Sequence, residues 1–134
     1  MTETKRDERR FEELAEFLAR FIRDLNHRSS EGWSVLVEGA RDKKALKLLG
    51  YGGTAVTVGD LGRIGIATLK SRGVIILTDL DGEGAVLAAR WIKALSHEGL
   101  KTSLNERRRL RSASRGVFRQ IESLSRFAAA SGEI

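Results

Sequence analysis

Val74-Ile75-Ile76-Leu77 is an apolar run with no polar residue alternating through it, placed between Arg72-Gly73 and Thr78-Asp79. A strand with one wet face would alternate; one covered on both faces has no reason to, and that situation belongs to parallel sheets sandwiched by helices. The neighbouring pattern agrees. Trp33 to Val37 reads as a strand, followed by a helix from Arg41 to Leu49 with Ala45, Leu46, Leu48 and Leu49 as its apolar residues. The Gly50-Tyr51-Gly52-Gly53 turn leads to a second strand, Thr54 to Val58, and a helix from Asp60 to Lys70 that buries Leu61, Ile64 and Leu69. After the apolar run comes a helix from Gly84 to His97, ended by Gly99, and a short fourth strand from Leu100 to Leu104. Strands alternating with helices predict an α/β domain with a mainly parallel sheet.

Helices flank this pattern. From Thr4 to Arg28, apolar residues Phe11, Leu14, Leu18, Phe21, Ile22 and Leu25 recur at spacings of three and four, the mark of an amphipathic helix that packs one face. Its charges nearly balance, which suits packing more than nucleic-acid binding. The C-terminal part reads as helical, broken near Arg115-Gly116, with Val117, Ile121, Leu124 and Phe127 forming an apolar stripe. The expected organisation is thus an N-terminal helix (1–32), an α/β core (33–104) and a basic helical extension (105–134). With 134 residues there is room for one such unit.

Composition narrows the chemistry. The chain has no Cys, which excludes a disulfide scaffold, a thiolate zinc site and a cysteine nucleophile, and points to a reducing, cytoplasmic setting. No apolar run reaches the roughly 20 residues of a membrane span, so no membrane partner is expected. Lys and Arg number 24 against 18 Asp and Glu. The excess is local: Lys101 to Arg119 holds seven cations and one anion, and the rest of the chain is neutral in sum. Arg107, Arg108, Arg109, Arg111, Arg115 and Arg119 make nucleic acid, RNA or DNA, the expected partner, since guanidinium forks grip phosphate oxygens. The competing reading is a solvated helix face whose arginines pair with carboxylates elsewhere.

Acidic residues stand at the strand exits. Glu38 follows β-type Val35-Leu36-Val37, and Asp79 and Asp81 follow Ile75-Ile76-Leu77-Thr78. In an open parallel sheet, ligands bind in the crevice beyond the carboxyl ends of the strands. Asp79 and Asp81, two apart, lie on the same side of an extended segment and repel each other unless a cation intervenes. Hard oxygen donors without His or Cys select Mg²⁺, or Mn²⁺, over Zn²⁺. Glu83, two positions on, is a third acid for the same ion. Gly39, Gly82 and Gly84 suit tight strand-to-helix turns and close backbone approach, and the helix beginning near Gly84 points free amides at an anion. The competing reading is that these Asp and Gly residues are ordinary caps and turns.

Two stretches, Val35-Leu36-Val37-Glu38-Gly39-Ala40-Arg41-Asp42 and Ile75-Ile76-Leu77-Thr78-Asp79-Leu80-Asp81-Gly82-Glu83-Gly84, resemble the two signature motifs of the TOPRIM domain. That domain is shared by topoisomerases, bacterial-type primases and ribonuclease M5, and the short form with a leading helix and an Arg-rich tail is similar to the small stand-alone archaeal members. The resemblance covers about Trp33 to Ser103 and implies a Rossmann-like four-stranded parallel sheet between helices. It also implies that Glu38 serves as general acid or base and that Asp79 and Asp81 hold Mg²⁺, with Glu83 as the further acid of type IA topoisomerases. Those enzymes carry Arg where Gly82 stands.

A topoisomerase would need a tyrosine nucleophile on a separate domain; the only tyrosine is Tyr51, inside the Gly-rich turn. A primase would need zinc and template modules for which there is neither length nor Cys. Three readings remain: a Mg²⁺-dependent enzyme cleaving or transferring phosphodiesters on structured RNA or DNA; a non-catalytic subunit that binds nucleic acid or a protein partner in nucleic-acid processing; and a binder of a small phosphorylated ligand or nucleotide.

Overall fold

The computed structural model describes residues 3–128. The expected segments 1–32 and 105–134 therefore extend beyond the described residues at 1–2 and 129–134. The order is α1 (Glu3–Ser30), β1 (Trp33–Val37), α2 (Ala40–Leu48), β2 (Ala55–Thr57), α3 (Val58–Ile64), β3 (Gly73–Ile76), α4 (Gly82–His97), β4 (Lys101–Ser103) and α5 (Asn105–Ser114). The 3-10 segments Ile66–Thr68 and Ile121–Phe127 complete it. The four strands form one fully parallel sheet in the order β2-β1-β3-β4, so the α/β class and four-stranded parallel sheet read from the sequence hold.

The unalternating strands are explained by two cores, one on each face. Val35, Val37, Ile75 and Leu77 point to one side, where α1 contributes Leu14, Leu18, Phe21, Ile22 and Leu25 and α2 contributes Ala45 and Leu46. Leu36, Val74 and Ile76 point to the other, against Leu61 of α3 and Ala88 and Leu95 of α4. Residues one apart thus serve opposite cores, as the two-residue period of a strand requires.

The C-terminal residues are part of the first core rather than appended to it. Leu110 of α5 and Phe118, Ile121, Leu124 and Phe127 beyond it are buried in the same cluster. Arg28 links α1 to α5 through a 3.0 Å ion pair with the buried Glu106, whose other oxygen accepts from Ser103.

Three expectations need correction. The helix over Asp60 to Lys70 ends at Ile64, because Gly65 takes φ +90°, outside the helical region, and a 3-10 turn follows; Ile64 is exposed instead of buried. The break at Arg115-Gly116 is present, with φ of 43° and 80°, but the chain after it forms a 3-10 segment and not an α-helix. In that segment's apolar stripe Val117 is exposed, and Phe118 takes the buried place.

Candidate functional site

The exits of β1 and β3, neighbours in the sheet, bring Glu38 and the Asp79–Asp81 loop together. The decisive contact is a 2.7 Å hydrogen bond from the Asp79 backbone N–H to Oε2 of Glu38. Asp79 Oδ1 in turn accepts from the backbone N–H of Ile121 at 2.9 Å, and Asp81 Oδ1 caps α4 by accepting from Gly84 N–H at 2.7 Å. Each of the three carboxylates is therefore held through one oxygen while the other makes no hydrogen bond within the described residues. The capping role weighed for Asp81 is real, and it leaves a donor atom spare.

Gly84 is the glycine that this geometry demands. A Cβ there would sit 2.6 Å from the carbonyl carbon of Asp79 and closer still to its oxygen. Gly39 and Gly82 have open space around that position, and Gly39 is in extended backbone, so neither is required by contact. Glu83 is exposed on the first turn of α4, where its negative charge suits the helix dipole, and its side chain makes no ion pair among the described residues.

Two acids that the sequence reading did not place in the site belong to it. Asp42, 6% exposed, accepts from the Gly39 N–H at 3.0 Å, covering the N-cap amide of α2, which Gly39 with no side chain cannot reciprocate. Glu122 lies on the 3-10 segment that packs on α2, and its charge acts on both Asp42 and Asp79. Asp42's place three residues after Gly39 of the Glu-Gly motif was a signal for it; Glu122 had none in the local sequence.

The six arginines sort into different roles. Arg107, expected to touch nucleic acid, is 8% exposed and bound inside the acidic loop. Its Nε donates to the Thr78 carbonyl at 3.2 Å, and its Nη2 to the carbonyls of Asp79 at 2.6 Å and Asp81 at 3.3 Å. Arg109 pairs with Asp24 at 3.1 Å and lies over the rings of Phe17 and Phe21. Arg108, Arg111, Arg115 and Arg119 are exposed and have no ion pair among the described residues. A cavity of 460 Å³ beside the acidic loop is lined by Asp81, Arg107, Arg111, Arg115 and Arg119, with Leu80 and Phe118 as apolar wall.

This chain resembles several proteins. A UPF0292 protein of Archaeoglobus fulgidus is 35% identical over 107 residues, which cover 79% of this chain and 85% of that one. The chain belongs to the UPF0292 family. UPF0292 proteins of Methanosarcina barkeri and Methanocaldococcus jannaschii are 34% and 32% identical, covering 92% and 86% of this chain and 86% and 92% of their own lengths. The solved structure of a putative protein from Aquifex aeolicus matches with a TM-score of 0.62 and 27% identity, over 78% of this chain and 94% of that one. No family model matches the chain.

In this UPF0292 protein the acids are electrostatically frustrated. Burial pushes the Glu38 carboxyl above its usual range; the Asp79 N–H opposes this, and the charges of Asp79, Asp42 and Asp81 reinforce it. Asp79 is raised by burial and by the charges of Asp81 and Glu122, against the Ile121 N–H and Arg107. Asp42 is raised chiefly by burial. Among the described residues no three His, Cys, Asp or Glu side chains are grouped as a ready-made metal cage. Mg²⁺ does not need one, since it typically takes one or two carboxylates and keeps water and phosphate. The spare oxygens of Asp79 and Asp81, hard donors with no His or Cys beside them, fit that demand.

The raised carboxyls have a consequence for stability. Unfolded Glu and Asp titrate near pH 4, so just above that the folded chain retains more protons than the unfolded one and its stability falls as pH rises through the raised values. Glu38→Gln keeps an acceptor for the Asp79 N–H and removes one ionisation. Its stability relative to the unsubstituted chain is expected to increase from pH 4 to pH 7, read by urea denaturation in EDTA. A pH-independent difference would refute the raised Glu38 carboxyl, whose first cause is burial.

Among the described residues no helix is long and apolar enough to cross a membrane. Tyr51 is buried, with its hydroxyl donating to the Thr54 carbonyl at 3.0 Å.

Proposed function

We propose that the chain is a TOPRIM protein that acts with Mg²⁺, or Mn²⁺, on the phosphodiester backbone of RNA or DNA, cleaving it or transferring a phosphoryl group. The observation that carries this reading is the meeting of opposite charges at one place. Glu38, Asp79 and Asp81 stand at the exits of β1 and β3, and the unpaired Arg111, Arg115 and Arg119 line the cavity that Asp81 also borders. A phosphate and a divalent cation together satisfy both halves; neither does so alone.

Asp79 and Asp81 would hold the ion through their spare oxygens. When bound, it supplies neutralisation of phosphate charge and polarisation of the phosphoryl oxygens. The exposed arginines orient the phosphate by paired N–H donors. Glu38, raised by burial and held by the Asp79 N–H, keeps Oε1 available to take up or return a proton on the attacking or leaving oxygen. Arg107 places a fixed cation beside the acids from α5, a separate element from the loop it steadies.

The test is cleavage of mixed structured RNAs and DNAs in Mg²⁺ or Mn²⁺. Glu38→Gln and Asp79→Asn are each expected to lower the rate about a hundredfold or more while binding is retained. A second reading, a binding subunit without catalysis, is favoured by one observation: the Ile121 N–H already engages Asp79, and the segment that carries it packs across α2. Binding with no cleavage under either metal would select that reading and overturn the first.

A further inference from the structure

Helix α5 separates two clefts. Arg107, Arg111 and Ser114 face the cavity at Asp81; Arg108, Arg109 and Ser112 face a larger groove of 760 Å³ on the α1 side. The spacing explains this: residues 108 and 112 lie on one helical face four apart, 107, 111 and 114 on the adjacent one, and Arg115 follows in the left-handed turn that ends the helix. Arg115 alone among the arginines lines both clefts.

The α1 wall of the groove supplies Arg6, Arg9 and Arg10, with Glu13 as its one acid. Arg6 and Arg9 are exposed and without ion pairs among the described residues. Arg10 instead ties the helices together, its Nη2 donating to the Arg115 carbonyl at 3.1 Å and, more weakly, to that of Ser114 at 3.5 Å. That contact fixes the turn where Arg115 has φ 43°, and so fixes the residue that the two clefts share. A helix whose charges balance along the chain thereby lends three cations and one acid to this groove.

Building on the phosphodiester reading above, we infer that the α1–α5 groove is a second backbone site. In it a polynucleotide strand continues past Arg115, away from the reacting phosphate at Asp81. The ligand class is accordingly a strand of several nucleotides, with mononucleotides or single phosphates too short to use the groove. Arg108 to Arg115 alone spans about 10 Å along the helix, more than one phosphate interval of a strand. Arg115, which lines both this groove and the cavity at Asp81, favours phosphate over an acidic peptide as occupant.

The experiment is salt-dependent binding of a 20-nucleotide single strand and of a trinucleotide, in EDTA so that cleavage plays no part, to the full chain and to R6A/R9A/R108A. All three positions are exposed, and an unchanged melting temperature checks that the fold is kept. The variant is expected to lower the log–log salt slope for the 20-mer by about 2, close to 0.7 per lost phosphate contact, and its low-salt affinity by more than about tenfold. Trinucleotide binding should not change. An unaltered 20-mer slope overturns the groove and leaves the cleft at Asp81 standing. Failure of the unsubstituted chain to bind the 20-mer also overturns the groove, while the metal-dependent cleft is judged separately by the cleavage assay above. A variant-sensitive affinity for polyglutamate or phosphatidylserine vesicles, with none for the 20-mer, also overturns it.

Discussion

Arg107→Met is expected to destabilise the fold by about 3–5 kcal/mol, the largest loss of any arginine substitution in the chain. The guanidinium is buried and satisfies the carbonyls of Thr78, Asp79 and Asp81 at once. Methionine fills much of the same volume but leaves the Thr78 and Asp79 carbonyls without the Arg107 donor, the Asp81 carbonyl keeping only the Ala85 N–H, and removes a fixed cation from beside the acids. Burial and the nearby Arg111 lower the affinity of Arg107 for its proton, while Asp81, Glu38 and Asp79 hold it charged. Arg107→Lys should recover part of the loss, because a single ammonium restores charge but not the planar fork that reaches several carbonyls. Urea denaturation measures both. A cost below about 1 kcal/mol for methionine would mean that the loop holds its shape without Arg107. Arg108→Ala, at an exposed position, provides the contrast and should stay within about 0.5 kcal/mol.

Gly84→Ala should cost about 3 kcal/mol or more and, under the proposed function, abolish metal-dependent cleavage along with it. The added methyl would collide with the Asp79 carbonyl, which is backbone and has no rotamer by which to move aside. The Asp79 carbonyl receives Arg107 and the N–H of the same residue donates to Glu38, so displacement of Asp79 disturbs both contacts. The Gly84 carbonyl also accepts from the buried Thr78 hydroxyl at 2.6 Å, a second link that any shift would strain. Gly82→Ala is the matched control. It lies in the first turn of the same helix with open space around its Cβ position, and alanine has the higher helix propensity by up to about 1 kcal/mol. It should be neutral or stabilising. Equal behaviour of the two substitutions, measured by thermal and urea unfolding, would contradict the close approach at Gly84.

The carboxylate cleft was legible because its parts are local. Glu38 directly follows a strand, and Asp79 and Asp81 lie just beyond another, so strand periodicity and the rule for strand exits place all three. Asp42 belongs there for a related reason, as the third residue of the helix that begins after Glu38. The arginines were not legible in the same way. Their density showed that α5 is cationic, while the partner of each depends on which element lies next to it in space. Arg107 turns to a loop 26 to 29 residues back, Arg109 reaches Asp24 of α1, and Arg108, Arg111, Arg115 and Arg119 keep their charge for solvent or ligand. Glu122 and the Ile121 N–H enter the site only because the chain after Gly116 folds back over α2.

By itself, then, the sequence determined the α/β class, the four strands, the two-sided burial of β1 and β3 and the position of the acids beyond their ends. These follow from periodicity and chain punctuation within a few residues, where sterics and burial act on neighbours. Only the tertiary structure decided which arginines are spent on holding the acidic loop and which remain free. It also made a basic groove out of α1, whose charges balance along the chain but whose Arg6, Arg9 and Arg10 meet the arginines of α5, with Glu13 as the one acid beside them. Coulombic partners are chosen by packing between elements some 85 to 105 residues apart, as for Arg109 with Asp24 and Arg10 with the end of α5, and no local pattern carries that information.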